Sequence, residues 1–280
     1  MRYLRRILTM LGIGIAVASP SGNTQPANAG KHWDITPDAP VNFGYKVCWL
    51  TIRTQDTAAV IRVMRLRDAR AANWETGISA AYEGNLVFVS PALNGWTFIV
   101  GRDLPPPEGN GPGDPAGGPT FGHLFAKLSE QFAEVQFFGS HRVSGFVAWA
   151  RAKGGHVERV FSFADGNVFV NFGPQSAEER ALGFFAISGL APGAATNALF
   201  AAADNLNRQQ EDLMKAGSPA KEGLARVEQT GRDPLPDEQD VVDLARAWSG
   251  IDPTQLEQGH FDKGTGTVGL LPAGIDLNKP

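Results

Sequence analysis

A single cysteine, Cys48, stands among 280 residues, so no disulfide can close within the chain and no C-x-x-C redox or zinc motif can form. It lies in an apolar run, Lys46-Val47-Cys48-Trp49-Leu50, where a thiol packs as a small hydrophobe and lacks the electropositive surroundings that activate it. The five histidines (His32, His123, His141, His156, His260) never fall four apart, and H-E-x-x-H does not occur. Local spacing therefore builds no metal site. The hydrolase elbow G-x-S-x-G is missing as well. Basic residues interleaved with aromatics are missing too, and the net charge is −4. Nucleic acid and anionic membrane surfaces are disfavoured partners, since both are bound by Lys and Arg neutralising negative charge.

What is present begins with an address. Arg2, Arg5 and Arg6 precede an apolar run from Ile7 to Ala18, which falls short of the roughly twenty residues that a membrane-spanning helix needs. This reads as a signal peptide over residues 1–29. Two small-residue sites compete for cleavage, at Ala18 and at Ala29, and an uncut anchor is the other possibility. Without residues 1–29, which hold three Arg and no acids, the charge stands at −7. The expected location is periplasmic or secreted, with no stable membrane insertion after cleavage.

The middle of the chain has the clearest pattern. Residues 134–172 alternate aromatic strands with tight turns: Gly154-Gly155 and Asp165-Gly166 supply the positive-φ pairs of two-residue hairpins. Strands over 146–153, 156–163 and 167–172 are expected to form an antiparallel meander. Asn94-Gly95 closes another hairpin between 86–89 and 96–100, with Pro91 expected at an edge or bulge. A first strand is read over 45–53. Helices are read from Asp56 to Leu66, from Asn73 to Gly84, after Thr120 through Phe132, from the capping box Ser176-Ala177-Glu178-Glu179, over 194–215, and from Asp237 to Gly250. Residues 105–119 hold six Pro and five Gly and form a loop. Residues 217–235 read as a weakly ordered link.

The fold class that follows is α+β: an antiparallel sheet of meander and hairpins covered by helices, with a small C-terminal helical region. The expected divisions are residues 30–190 for the sheet domain, 191–258 for a helical region packed on it, and 259–280 for a flexible tail.

Two motifs match regular expressions without the context that gives them mechanism. Gly264-Thr265-Gly266-Thr267-Val268-Gly269 fits the dinucleotide fingerprint, but only LLPAGIDLNKP follows, too little for a helix, a second strand and a ribose-binding acid. Ser218-Pro219-Ala220-Lys221 has the Ser-to-Lys spacing of penicillin-recognising enzymes and lacks their companion elements. No cofactor is expected, and no catalytic residue is named. The one polar cluster in an unusual place is Ser140, His141 and Arg142, between two aromatic strands. A His and an Arg shown together at a sheet end suit an anionic group, and with Glu134 or Glu158 they could do acid–base work; the competing reading is that they cap strand ends.

NGWTFIVGRDLP, EVQFFGSHRVSGFVAWARA and LPDEQDVVDLARAWSGIDPTQL together resemble a family of uncharacterised bacterial proteins, over about residues 48–256. The export signal and the Pro/Gly loop depart from that family's pattern. The resemblance implies a shared α+β fold and assigns no catalytic residue; by analogy the chain is also similar to immunity-type binding proteins. Function is accordingly expected to be binding of an unknown protein or small-molecule partner without catalysis. The alternative is a periplasmic hydrolase with its site at the Ser140-His141-Arg142 turn, and a third reading is a structural envelope component.

Overall fold

The computed structural model describes residues 33–107, 121–215 and 232–272. Among them nine strands form one antiparallel sheet in the order β2-β9-β3-β4-β1-β5-β6-β7-β8, and six α-helices pack on it. In chain order these are β1 (Cys48–Ile52), α1 (Thr57–Met64), β2 (Arg67–Asn73), α2 (Trp74–Glu83), β3 (Leu86–Val89), β4 (Thr97–Gly101), α3 (Phe121–Gln131), β5 (Glu134–His141), β6 (Phe146–Lys153), β7 (His156–Ala164), β8 (Asn167–Phe172), α4 (Ala177–Ala181), α5 (Pro192–Lys215), α6 (Glu238–Ser249) and β9 (Thr265–Leu270). The fold is α+β, as expected. No helix among the described residues is long and apolar enough to cross a membrane.

The sheet is covered on both faces. Helices α1 and α3 bring Val60, Met64, Leu124, Phe125 and Leu128 against Leu50, Ile52, Val135 and Phe137. The opposite face carries Trp49, Phe88, Phe138, Trp149 and Phe161 beneath α2, α5 and α6. Successive side chains of a strand alternate between faces, so a strand with cover on both sides needs apolar residues at nearly every position. That is why β1, β3 and β4 read CWLTI, LVFV and TFIVG and are buried throughout. Cys48 is buried in β1.

Turn and cap chemistry places the ends of elements. Asp56 accepts from the Ala59 N–H at 2.8 Å and Asn73 from the Thr76 N–H at 3.1 Å, fixing the starts of α1 and α2. The Asn94-Gly95, Gly154-Gly155 and Asp165-Gly166 pairs all adopt positive φ, and the meander strands fall within a residue of their expected bounds. The expected cap at Thr120, the tetrad at 218–221, the leader at 1–29 and residues 108–119 of the Pro/Gly loop lie outside the described residues.

Two expectations are corrected. Residues 265–270 are not part of a flexible tail: they are β9, an interior strand hydrogen-bonded to β2 on one side and β3 on the other. The glycines that mimic a nucleotide fingerprint make this insertion possible. A Cβ at Gly266 would lie 2.4 Å from the Val89 carbonyl oxygen and 2.5 Å from Phe88 Cε2, so β9 can lie against the Phe88 ring only because it lacks a side chain there. With β9 in place β3 is no edge strand, and Pro91 sits just past its end, packed on Gly264. A strand that sequence reading did not name is β2, whose RDARAAN lacks strand propensity. It pairs along β9 with a register shift between Arg67 and Arg70, Asp68 turning to φ 51°, and its outer residues are charged as sheet edges tend to be.

Ending the chain at Phe261 removes β9, uncovers two strand edges and strips out Val268, which is fully buried. The lost side-chain burial alone is worth about 1.5–3 kcal/mol. Loss of the near-UV circular dichroism and of cooperative thermal unfolding is expected; a loosely docked tail would leave both unchanged.

Candidate functional site

Register assembles the site. On the face beneath α4 and α6, Trp49, Phe138, Trp149 and Phe161 are successive cross-strand partners over β1, β5, β6 and β7. Their rings pack closely, Trp149 stacking on Phe161 with centroids 4.4 Å apart and Trp49 on Phe138 at 5.3 Å. The next rung of the same face is polar: Thr51, Gln136, Arg151 and Arg159. Two arginines thus stand directly opposite one another on adjacent strands, a repulsive arrangement unless acids intervene.

Acids do intervene, from three directions. Arg151 lies 3.4 Å from Glu134 at the start of β5, 3.4 Å from Glu158 on β7 and 3.3 Å from Glu178 on α4, while its guanidinium stacks over Trp248 at 5.3 Å. Glu158 reaches it because β7 shifts register between the partners of Arg151 and Ala152, a bulge that re-aims a side chain. The backbone passes so close here that a Cβ on Gly173 would meet the Glu158 carbonyl oxygen at 2.0 Å.

Arg159 is 1% exposed and Glu179 is fully buried. Arg159 Nε donates to Glu179 Oε1 at 3.0 Å, and Nη1 donates to Asn171 Oδ1 at 2.7 Å and to the Phe172 carbonyl at 3.1 Å. Glu179 also accepts from Trp149 Nε1 at 3.0 Å and, through Oε2, from the Ser176 N–H at 2.7 Å. The carboxylate that closes the capping box of α4 is therefore the one that neutralises Arg159. Burial pulls the Arg159 guanidinium below its ordinary pKa, and Glu179 opposes that pull. Nη2 of Arg159 is buried and has no hydrogen-bond partner.

Beside this pair lies a cleft of about 310 Å³, counting the space open to solvent at its mouth. Arg159 and Glu179 line it together with Trp149, Phe184, Phe185 and Arg232. Gln175 shapes its wall, donating to the Phe185 carbonyl at 3.0 Å and accepting from the Ile187 N–H at 3.1 Å. Arg232 is ion-paired with Asp240, donates to the Leu182 carbonyl at 2.6 Å and lies 4.4 Å over the Phe184 ring. Burial lowers its pKa, and Asp237, Asp243 and Asp233 act the other way.

The residues expected from sequence to form a site lie elsewhere. Ser140 is 2% exposed and faces the aromatic side, where its Oγ donates to the Gly44 carbonyl at 3.3 Å and accepts from the Lys46 N–H at 3.3 Å. His141 follows it on the other side of the strand, its Nδ1 3.3 Å from the Ser144 hydroxyl. Arg142 is ion-paired with Glu238 of α6. The proposed carboxylate partners are remote: Glu134 and His141 mark opposite ends of β5, about 24 Å apart at roughly 3.4 Å per residue, and Glu158 is engaged with Arg151. Among the described residues no three His, Cys, Asp or Glu converge in a metal-holding group. Sequence reading missed Arg151, Arg159, Glu179 and Arg232. The available signal was a charged residue at an inward position of two alternating aromatic strands.

Comparison with known protein families, with characterised proteins and with solved structures found no match.

Glu179→Gln keeps the shape of the capping box but leaves the Arg159 charge buried without its counter-ion. A loss of about 3–5 kcal/mol in urea unfolding is expected, and Arg159→Met with Glu179→Leu should recover part of it. For Glu178, burial works to raise the pKa but is outweighed by hydrogen bonds from its own N–H and Ser176 and by Arg151, so the net shift is below the ordinary 4.5. A depressed carboxylate stabilises the fold above its unfolded pKa, and that contribution fades as pH falls through the folded value. The melting temperature of Glu178→Gln should therefore fall less steeply than that of the wild type below about pH 4.5.

Proposed function

We propose that this is an exported binding protein without chemistry of its own, and that its recognition site is the cleft beside Arg159 and Glu179. One observation carries the reading: a concave site walled by Trp149, Phe184 and Phe185 has the buried Arg159–Glu179 pair in its lining. Ligand sites are concave, mostly apolar and furnished with a few fixed polar groups. The charged groups here are held by the protein itself, Arg159 by Glu179 and Arg232 by Asp240. Such groups are suited to orient a ligand and are poorly placed to exchange protons with it. Export is supported by the basic start and apolar run of residues 1–18.

The hydrolase reading at Ser140-His141-Arg142 draws its support from the contact between His141 Nδ1 and the Ser144 hydroxyl. It has weaker footing, because that hydroxyl also donates to the His141 carbonyl at 3.3 Å.

The test is an NMR titration with a mixture of aromatic fragments, each bearing one polar group. Shifts at the Trp149 indole N–H and at the Arg159 Nε–H are expected, and Phe185→Ala, at a side chain 37% exposed, should weaken them several-fold without changing the melting temperature. Shifts confined to His141 and Ser144 would move the site to the turn, and an unperturbed Trp149 at saturating fragment would end the cleft reading.

A further inference from the structure

We infer that the groove between the end of α1 and α3 is a second binding site, built for the phosphate group of a small soluble phosphate monoester. It lies on the opposite face of the sheet from the cleft beside Arg159 and does not depend on that cleft.

The groove holds about 240 Å³ of accessible space and is lined by Arg62, Val63 and Arg65 at the end of α1 and by Lys127 and Gln131 of α3. Roughly 10–15 Å³ of such space is enough for one water, so a small organic molecule fits. Both walls are fixed from behind, since Val60 and Met64 of α1 and Leu124 and Leu128 of α3 are buried in one apolar cluster. Val63 packs against that cluster and gives the groove an apolar patch.

Charge singles this groove out. On the other face Arg151, Arg159 and Arg232 are each paired with a carboxylate. The five groove residues include no acid, in a chain whose net charge is −4. Arg65 already has a partner, so the charges open to a ligand are those of Lys127 and Arg62. Arg62 reaches Asp56 at 3.7 Å with both side chains more than half exposed, a pairing that contributes little and exchanges readily. Lys127 is half-buried, yet among the described residues it forms no ion pair, and its ammonium is open to solvent. Glu130, three residues along the helix, is exposed and does not pair with it.

Cations near the end of α1 also complement the helix dipole. That accounts for Arg62 but not for Lys127, which lies ahead of the last turn of α3. The backbone of Arg65 is a further sign: at φ 50° and ψ 44° it holds the left-handed cap position that glycine or asparagine ordinarily fills. A long side chain is kept there in spite of backbone strain, and it forms a wall of the groove.

Lys127 and Gln131 are four residues apart and share one side of α3, while Arg62 comes from the other helix. A phosphate monoester brings nearly two negative charges and three acceptor oxygens, one each for the Lys127 ammonium, the Gln131 amide and the Arg62 guanidinium. A carboxylate brings a single charge and only two oxygens. The net negative charge of the chain opposes an extended polyanion or an anionic membrane surface, which leaves a small soluble ester as the fitting occupant.

The test is isothermal titration of the intact protein at neutral pH and low ionic strength with glycerol 3-phosphate, with glycerate and glycerol as matched controls. Saturable binding of the ester is expected, at least about tenfold tighter than that of glycerate, and none of glycerol. Lys127→Gln should weaken it at least about fivefold at an unchanged melting temperature, and Lys127→Arg should retain it. Arg62→Gln, at a side chain 69% exposed, should give a second, independent loss. Arg208→Gln on α5, outside the groove lining, should change nothing; an equal loss there reports attraction by general charge and overturns the inference. Glycerate bound as tightly as the ester overturns it, as does the absence of saturable binding up to about 10 mM ester. Binding to phosphatidylglycerol vesicles by a protein that ignores the ester overturns it as well.

Discussion

The buried pair of Arg159 and Glu179 is the constraint on which this end of the molecule depends. Removing two charges from water costs several kcal/mol for each, and their attraction offsets that cost only if the remaining donors and acceptors are also met. The surroundings meet nearly all of them. Glu179 accepts from Arg159, Trp149 and the Ser176 N–H, and Arg159 reaches Asn171 and the backbone at the end of β8. Ser176 in turn accepts from Trp248 Nε1 at 3.2 Å. A helix of five residues is too short to hold itself, so α4 exists because its capping carboxylate is locked to the sheet. Through Trp248 the same lock fixes α6.

The rest of the architecture shows why such a lock is needed there. Over most of its width the sheet is held by apolar burial on both faces, with Trp49, Phe88 and Phe138 on one and Leu50, Ile52 and Phe137 on the other. That adhesion is non-directional and specifies position only through shape. At the polar rung of Gln136, Arg151 and Arg159 the apolar contact runs out. Directional ion pairs and hydrogen bonds take over the task of seating α4 and α6.

Much of the fold was legible in the sequence, and the reason is local. Asn94-Gly95, Gly154-Gly155, Asp165-Gly166, Asp56, Asn73 and the Ser176 box act within a few residues of themselves, so the sequence carries their meaning without knowledge of the partner. Strands β2 and β9 were opaque because neither RDARAAN nor TGTVGL has a pattern of its own. Each is a strand because the other and β3 are beside it, and the glycines of β9 record a close approach to Phe88 that only three dimensions reveal. The site was opaque for a related reason. Arg151 and Arg159 become neighbours only through pairing register, and Glu158 joins them only through a bulge, while Glu179 looked complete as a helix cap. Ser140, His141 and Arg142 drew attention as a polar string, yet alternation along β5 sends Ser140 and His141 to opposite faces.

This arrangement also bears on how a buried arginine should be read. A guanidinium in a cleft is usually taken as a sign of an anionic ligand, because its charge is assumed to be available. Availability is a property of the whole environment. Glu179 at 3.0 Å leaves Arg159 with little net field beyond its immediate surroundings, and the carboxylates around Arg232 do the same for the second cation. Hydrogen-bonding capacity is not cancelled in this way, because each N–H is a separate directional group and Nη2 keeps its own.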